Sequence, residues 1–180
     1  MSHADYQTLI KLFDDCFYAD YRTRLVAGDD EPLYRAASTP AADHEIVFAH
    51  GFFASALHEI AHWCIAGPAR RQLEDYGYWY EPDGRDAAQQ AQFEQVERKP
   101  QALEWLFSLC AGVPFQVSVD NLNGASVDRQ AFTAAVQQQL VTYLTEGLPP
   151  RAERFARALA QTYQQPWPSA RQLLNYQGVA

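Results

Sequence analysis

Nothing in this chain of 180 residues runs apolar for the ~20 residues that a membrane span requires, so no membrane is expected among its partners. Its start, Met1-Ser-His-Ala-Asp-Tyr6, lacks the basic opening and apolar run of a signal peptide. Cysteine is scarce: Cys16, Cys64 and Cys110 are odd in number and make no C-x-x-C pair. That argues against a disulfide framework and fits reduced thiols in a cytoplasmic protein. Positive charge is also short, with 14 Lys and Arg against 22 Asp and Glu. The resulting formal charge of -8 leaves no broad electrostatic grip for nucleic acid. Internal repeats, low-complexity tracts and Gly/Ser linkers are absent too. One domain, residues 1–180, is therefore expected, long enough for a real core.

What is present reads mostly as helix. Tyr6, Leu9, Ile10, Phe13 and Phe17 keep the three-and-four spacing of an amphipathic helix. Residues 33–44 read as loop, and Glu45-Ile-Val-Phe-Ala49 as a short strand. A second helix is expected over residues 52–65, stopped by Ala66-Gly67-Pro68. An aromatic segment, Tyr76-Gly-Tyr-Trp-Tyr80, is closed by the turn Pro82-Asp-Gly-Arg85. Residues 86–98 read as a Gln-rich helix, and Pro100 as the first turn of a separate helix through Leu103, Leu106, Phe107 and Cys110. Phe115-Gln-Val-Ser-Val119 alternates like a strand, and the chain beyond Asp128 reads as helical. The expected fold is α+β: a mostly helical single domain with a few short strands and a metal site on a central helix.

That metal site rests on His58-Glu-Ile-Ala-His62. Residues four apart share a helix face, so both imidazoles can close on one ion. Phe52, Phe53, Leu57, Ile60 and Ile65 make the helix largely buried, where two unpartnered histidines and a glutamate would be costly. Glu59, the catalytic candidate, is offset around the helix and within reach of a metal-bound water. No histidine follows His62, so the third ligand is sought among carboxylates. Glu97 is the best placed, ahead of Glu94 and then Asp75. His44 and His50 flank the expected strand and are weaker pocket candidates. A shell of two histidines and one carboxylate suits Fe(II) or catalytic Zn(II), and ligand types alone do not decide between them. Arg70, Arg71, Asp75, Tyr78, Tyr80 and Glu81 are candidates for the substrate pocket, with Arg85 beside them. Carboxylates and aromatics together would suit a cationic side chain.

On these residues the chain resembles the elongation factor P hydroxylase family. The similar stretches are Thr23-Arg-Leu-Val-Ala-Gly-Asp-Asp-Glu-Pro-Leu-Tyr-Arg35 and Ser55-Ala-Leu-His-Glu-Ile-Ala-His-Trp-Cys-Ile-Ala-Gly67. They continue with Arg70-Arg71, Asp75-Tyr-Gly-Tyr-Trp-Tyr-Glu-Pro-Asp-Gly-Arg85, Val96-Glu-Arg-Lys-Pro-Gln-Ala-Leu-Glu-Trp105 and Asp120-Asn-Leu-Asn-Gly124. The resemblance implies an iron-dependent hydroxylase that uses molecular oxygen on the β-lysylated lysine of elongation factor P. It further implies a metal held by two histidines, which carry over to His58 and His62, and one carboxylate, for which spacing favours Glu97. Glu59 then becomes an orienting residue rather than an essential base. Two rivals stand beside this reading: a zinc metallopeptidase with Glu59 as general base, and a non-catalytic module docking on a translation factor.

Overall fold

The computed structural model describes residues 5–78 and 81–175. Helix α1 (Tyr6–Tyr21) starts at Asp5, whose carboxylate accepts the Gln7 N–H, and buries Leu9, Phe13 and Phe17. Strands β1 (Thr23–Ala27), β2 (Leu33–Arg35) and β3 (His44–Phe48) form a sheet in the order β1-β3-β2. β1 runs parallel and β2 antiparallel to β3, so that Leu25 and Tyr34 flank Ile46. All three side chains are buried.

β2 corrects the expected loop over residues 33–44, and β1 had no clear sequence signal. β2, three residues long, is too short for alternation to stand out, and both strands pair only through β3 between them. β2 is also anchored from far along the chain: Asp75 Oδ1 accepts the Tyr34 N–H at 2.8 Å.

From β3 the chain turns through Ala49–Gly51, with His50 and Gly51 at positive φ, into helix α2 (Phe53–Ile65). Trp63 of α2 packs on Phe13 and Phe17 at centroid distances of 5.1 and 4.8 Å. Phe155 of helix α5 (Pro150–Thr162) completes that aromatic layer, 6.2 Å from each phenyl ring. At this C-terminal end of α2, Arg151 donates to the carbonyls of Trp63 and Ala66, and Arg71 donates to Ala66 as well. Cations thus satisfy carbonyls that the helix terminus leaves unpaired.

Helix α3 (Ala87–Ala111) is one continuous element of 25 residues, opened by an Asp86–Gln89 capping box and closed by Gly112 at φ 70°. The expected break before Pro100 does not occur. An interior proline costs a helix about 3 kcal/mol or more. Here the ring is buried, and every residue from Gln101 to Ser108 is buried after it. Tertiary packing outweighs the local penalty. Continuity matters for function, because it puts Glu97, Gln101 and Glu104 on one face.

Residues 115–119, expected as a strand, have the alternation but no partner strand among the described residues. Val117 and Val119 are buried while Gln116 and Ser118 are exposed. Side chains take over the ladder's role: Gln101 pairs with both the N–H and C=O of Ser118, and Arg129 donates to the Val117 carbonyl. Helices α4 (Arg129–Glu146) and α5 close the domain over α3 and, for α5, α1, and α6 (Ala170–Leu174) packs on α4. Among the described residues no helix is long and apolar enough to cross a membrane.

Candidate metal centre

Helix α2 packs against α3, and their contact brings three of the expected groups together. His62 Nε2 lies 2.9 Å from Glu97 Oε1, and His58 Nε2 lies 3.6 Å from Glu97 Oε2. The two imidazole Nε2 atoms are 3.2 Å apart. Ligand atoms about 2.1 Å from a shared ion sit roughly 3.0–3.4 Å from one another in octahedral or tetrahedral geometry. The observed distances bracket that range. Among the described residues, His58, His62 and Glu97 are the sole group of three such side chains so close together.

Electrostatics fit a divalent cation as well. Glu104, on the same face of α3 as Glu97, meets His58 Nδ1 at 2.9 Å. A hydrogen on Nδ1 leaves the Nε2 lone pair facing His62 and Glu97, which is the ligating tautomer. Burial acts to lower the His58 pKa, but the Glu104 hydrogen bond and the charges of Glu104, Glu97 and Glu59 raise it to about 10. For Glu97, burial pushes upward, while His62, His58 and the Gln101 amide hold it well below the carboxylate range. Glu59 is pushed up by burial against the pull of His58 and His62. Three carboxylates thus converge on two imidazoles, and a divalent cation would balance that excess.

The centre forms part of the wall of a cleft of about 850 Å³, together with Glu31, Glu59, Asp75 and Asp120. Arg85 also lines it, but its guanidinium is engaged by the Glu81, Pro82 and Asp120 carbonyls and by Gln90. A second cleft, about 650 Å³, shares His62, Tyr76 and Tyr78 and carries Arg70, Arg98 and Lys99. Asp75 and Tyr76 take consecutive left-handed conformations, φ 47° and 60°, unusual for residues with side chains. The Asp75–Tyr34 hydrogen bond and the Tyr76–Tyr34 stack at 4.3 Å hold them there. The Tyr76 hydroxyl is buried with no hydrogen-bond partner among the described residues.

The other expected site residues divide. Tyr78 lines both clefts, and Arg70 lies 4.0 Å over its ring while donating to the Tyr76 carbonyl. Arg71 and Glu81 line neither cleft; the Arg71 guanidinium braces α2, and the Glu81 carbonyl braces Arg85. Tyr80 lies outside the described residues. Glu94 stays out of the triad, and Asp75 reaches the cleft but not the triad. His44 Nδ1 meets the Tyr34 hydroxyl and the Ala37 N–H, and His50 pairs with Asp30 at 2.9 Å, so neither serves the cleft. Sequence reasoning missed the roles of Glu104 and Gln101. Their signal was the spacing from Glu97, seven and four residues respectively along one helix face, hidden by reading a break at Pro100.

In class, this is a mostly helical α+β domain with a candidate two-histidine, one-carboxylate centre borne on two crossing helices. The family model described as elongation factor P hydroxylase matches residues 12–173, and the chain belongs to that family. It is 52% identical over 157 residues to the elongation factor P lysine hydroxylase of Haemophilus influenzae, covering 87% of this chain and 88% of that protein. The metallopeptidase alternative gains no support from either match.

Proposed function

We propose that this protein hydroxylates the β-lysylated lysine of elongation factor P, with iron(II) held by His58, His62 and Glu97. The observation that carries the proposal is the triad within an acidic cleft, in a chain belonging to the hydroxylase family. Iron(II) in that shell would supply the activation of molecular oxygen, which no amino-acid side chain supplies. The remaining work falls to the chain itself. Glu104 fixes the His58 ring and its tautomer, and Gln101 holds Glu97 in place. Glu59 and Asp75 take the substrate ammonium, and Tyr78 with Arg70 forms a wall beside it. Tyr80, two residues after Tyr78 in the sequence, is proposed as a further substrate contact. Arg71 and Glu81 hold the wall's backbone rather than touch substrate.

Carboxylates line the cleft, with Arg85 as its one Lys or Arg among the described residues, already engaged by carbonyls. That favours a long cationic substrate, and the formal charge of -8 disfavours nucleic acid. A translation factor as substrate places the reaction in the cytoplasm. The test is direct. Iron-loaded protein and β-lysylated elongation factor P are incubated with and without oxygen, and the modified lysine is weighed by mass spectrometry. An oxygen-dependent gain of one oxygen atom, abolished in His58→Ala and retained in part in Glu59→Gln, supports the proposal. Peptide cleavage that depends on zinc and disappears in Glu59→Gln would replace it with the peptidase.

A further inference from the structure

The two histidines of the candidate centre are braced unequally. His58 Nδ1 meets the Glu104 carboxylate at 2.9 Å. His62 directs its Nε2 to Glu97 and His58, and its Nδ1 has no hydrogen-bond partner among the described residues. A metal-ligating imidazole ordinarily donates its second N–H to an acceptor, which fixes the ring and makes the ligating nitrogen more basic. The His62 ring also lines the second cleft, of about 650 Å³.

That cleft is the electrostatic opposite of the first. Arg70, Arg98 and Lys99 line it and, among the described residues, no Asp or Glu does. Such a gathering stands out in a chain with 14 Lys and Arg against 22 Asp and Glu. Arg98 and Lys99 are exposed, and neither has an ion pair or hydrogen bond among the described residues. The C-terminus of α2 borders the cleft, but Arg71 and Arg151 already serve its Ala66 carbonyl, which leaves the other two cations free of that role. Tyr76, 4% exposed, lines the cleft too, and its hydroxyl is the unpartnered one. A buried hydroxyl without a partner is uncommon in a folded protein and calls for one. Two unused donors beside two free cations specify an acceptor that carries negative charge.

We propose that the second cleft binds a small oxyanion, a carboxylate or a phosphate, which accepts from the His62 Nδ1–H and the Tyr76 hydroxyl and is neutralised by Arg98 and Lys99. The anion does for His62 what Glu104 does for His58, and so tightens the hold of the centre on its metal. Coupling is reciprocal, so the metal tightens the hold on the anion by the same factor. The inference rests on the metal centre of the reading above and adds to it an anion site apart from the acidic cleft that takes the lysyl chain.

The experiment measures the iron(II) affinity of the full chain by anaerobic chelator competition in chloride, acetate or sulfate at equal ionic strength. Acetate represents the carboxylates, and sulfate stands in for phosphate while leaving iron(II) soluble. One or both should raise the affinity about tenfold over chloride, the lower end of what such ring partners contribute, and the stronger of the two identifies the class. The double variant Arg98→Gln, Lys99→Gln keeps the chloride value and loses the gain, and Tyr76→Phe keeps the chloride value with a smaller gain. Calorimetric titration of the anion should show tighter binding to iron-loaded than to metal-free protein. Equal iron affinity in all three salts, or a gain that survives in the double variant, would overturn the proposal. So would binding of a polyglutamate peptide without any effect of the small anions, which would give the cleft to an acidic protein segment. A wild type that holds no metal removes the centre and this inference together, whereas metal binding in chloride with no anion effect removes the inference alone.

Discussion

Replacing Glu104 by glutamine keeps an acceptor near His58 Nδ1 and removes its charge, while alanine removes both. The Glu104 side chain is 10% exposed and sits 2.9 Å from the ring nitrogen, so the bond it makes is charge-assisted and shielded from water. Without it, nothing else among the described residues bonds to that nitrogen, and the ring can change tautomer or rotate. Losses of this kind typically cost about 10- to 100-fold in metal affinity, or about 1.4–2.7 kcal/mol. Glu104→Gln belongs at the mild end and Glu104→Ala at the severe end. Competition against a chromophoric chelator under anaerobic conditions measures the affinity. Both variants should bind iron(II) with the wild-type stoichiometry but more weakly, and Glu97→Gln should fall below both. Wild-type affinity in Glu104→Ala would refute the argument that this carboxylate orients the ligand.

Further outcomes follow from the framework. Gly124→Ala forces a Cβ against the Arg85 carbonyl, and thermal denaturation should register a loss of roughly 1–3 kcal/mol, the cost of overpacking a closed site. Burial pushes the Cys64 and Cys110 thiols up to about 12 and also raises half-buried Cys16. Native protein at neutral pH should therefore yield at most one of its three thiols to a thiol-specific reagent, and all three in denaturant. The same shifts set a pH dependence. Folded Cys64 and Cys110 hold their protons more tightly than the unfolded chain, so their stabilisation is complete below about 9 and lost as pH rises toward 12. Tyr34, also raised to about 12 by burial, adds to the loss above its ordinary value of 10. A melting temperature that stays flat across that interval would contradict the burial of all three groups.

Legibility in the sequence followed the reach of the interactions. α1 and α2 were readable because their apolar spacing is local, and α2 carried His58 and His62 with it. Glu97 was reached from its distance along the chain and its place beside a buried helix, and the structure brings it to the two histidines. Glu104 was not reached, because Pro100 argued locally for a break that packing overrides. The same limit explains the sheet. β2 is three residues long and held by Asp75 from beyond α2, a contact that no local pattern encodes. Residues 115–119 failed in the opposite sense. Their alternation is real, but the backbone pairs with Gln101 and Arg129 side chains instead of another strand. The acidic character of the cleft was anticipated, whereas the division between cleft-lining Tyr78 and framework Arg71 needed the third dimension.

The central claim is that the His58–His62–Glu97 centre inserts an oxygen atom into a lysine side chain of elongation factor P. Its most direct test follows the source of that atom, using iron-loaded protein, β-lysylated elongation factor P and isotopically labelled dioxygen in ordinary water. The account predicts that the heavy isotope appears in the modified lysine, and that the label is lost together with activity in His62→Ala. A product whose new oxygen comes from water, or labelling that survives loss of the histidine, would contradict it.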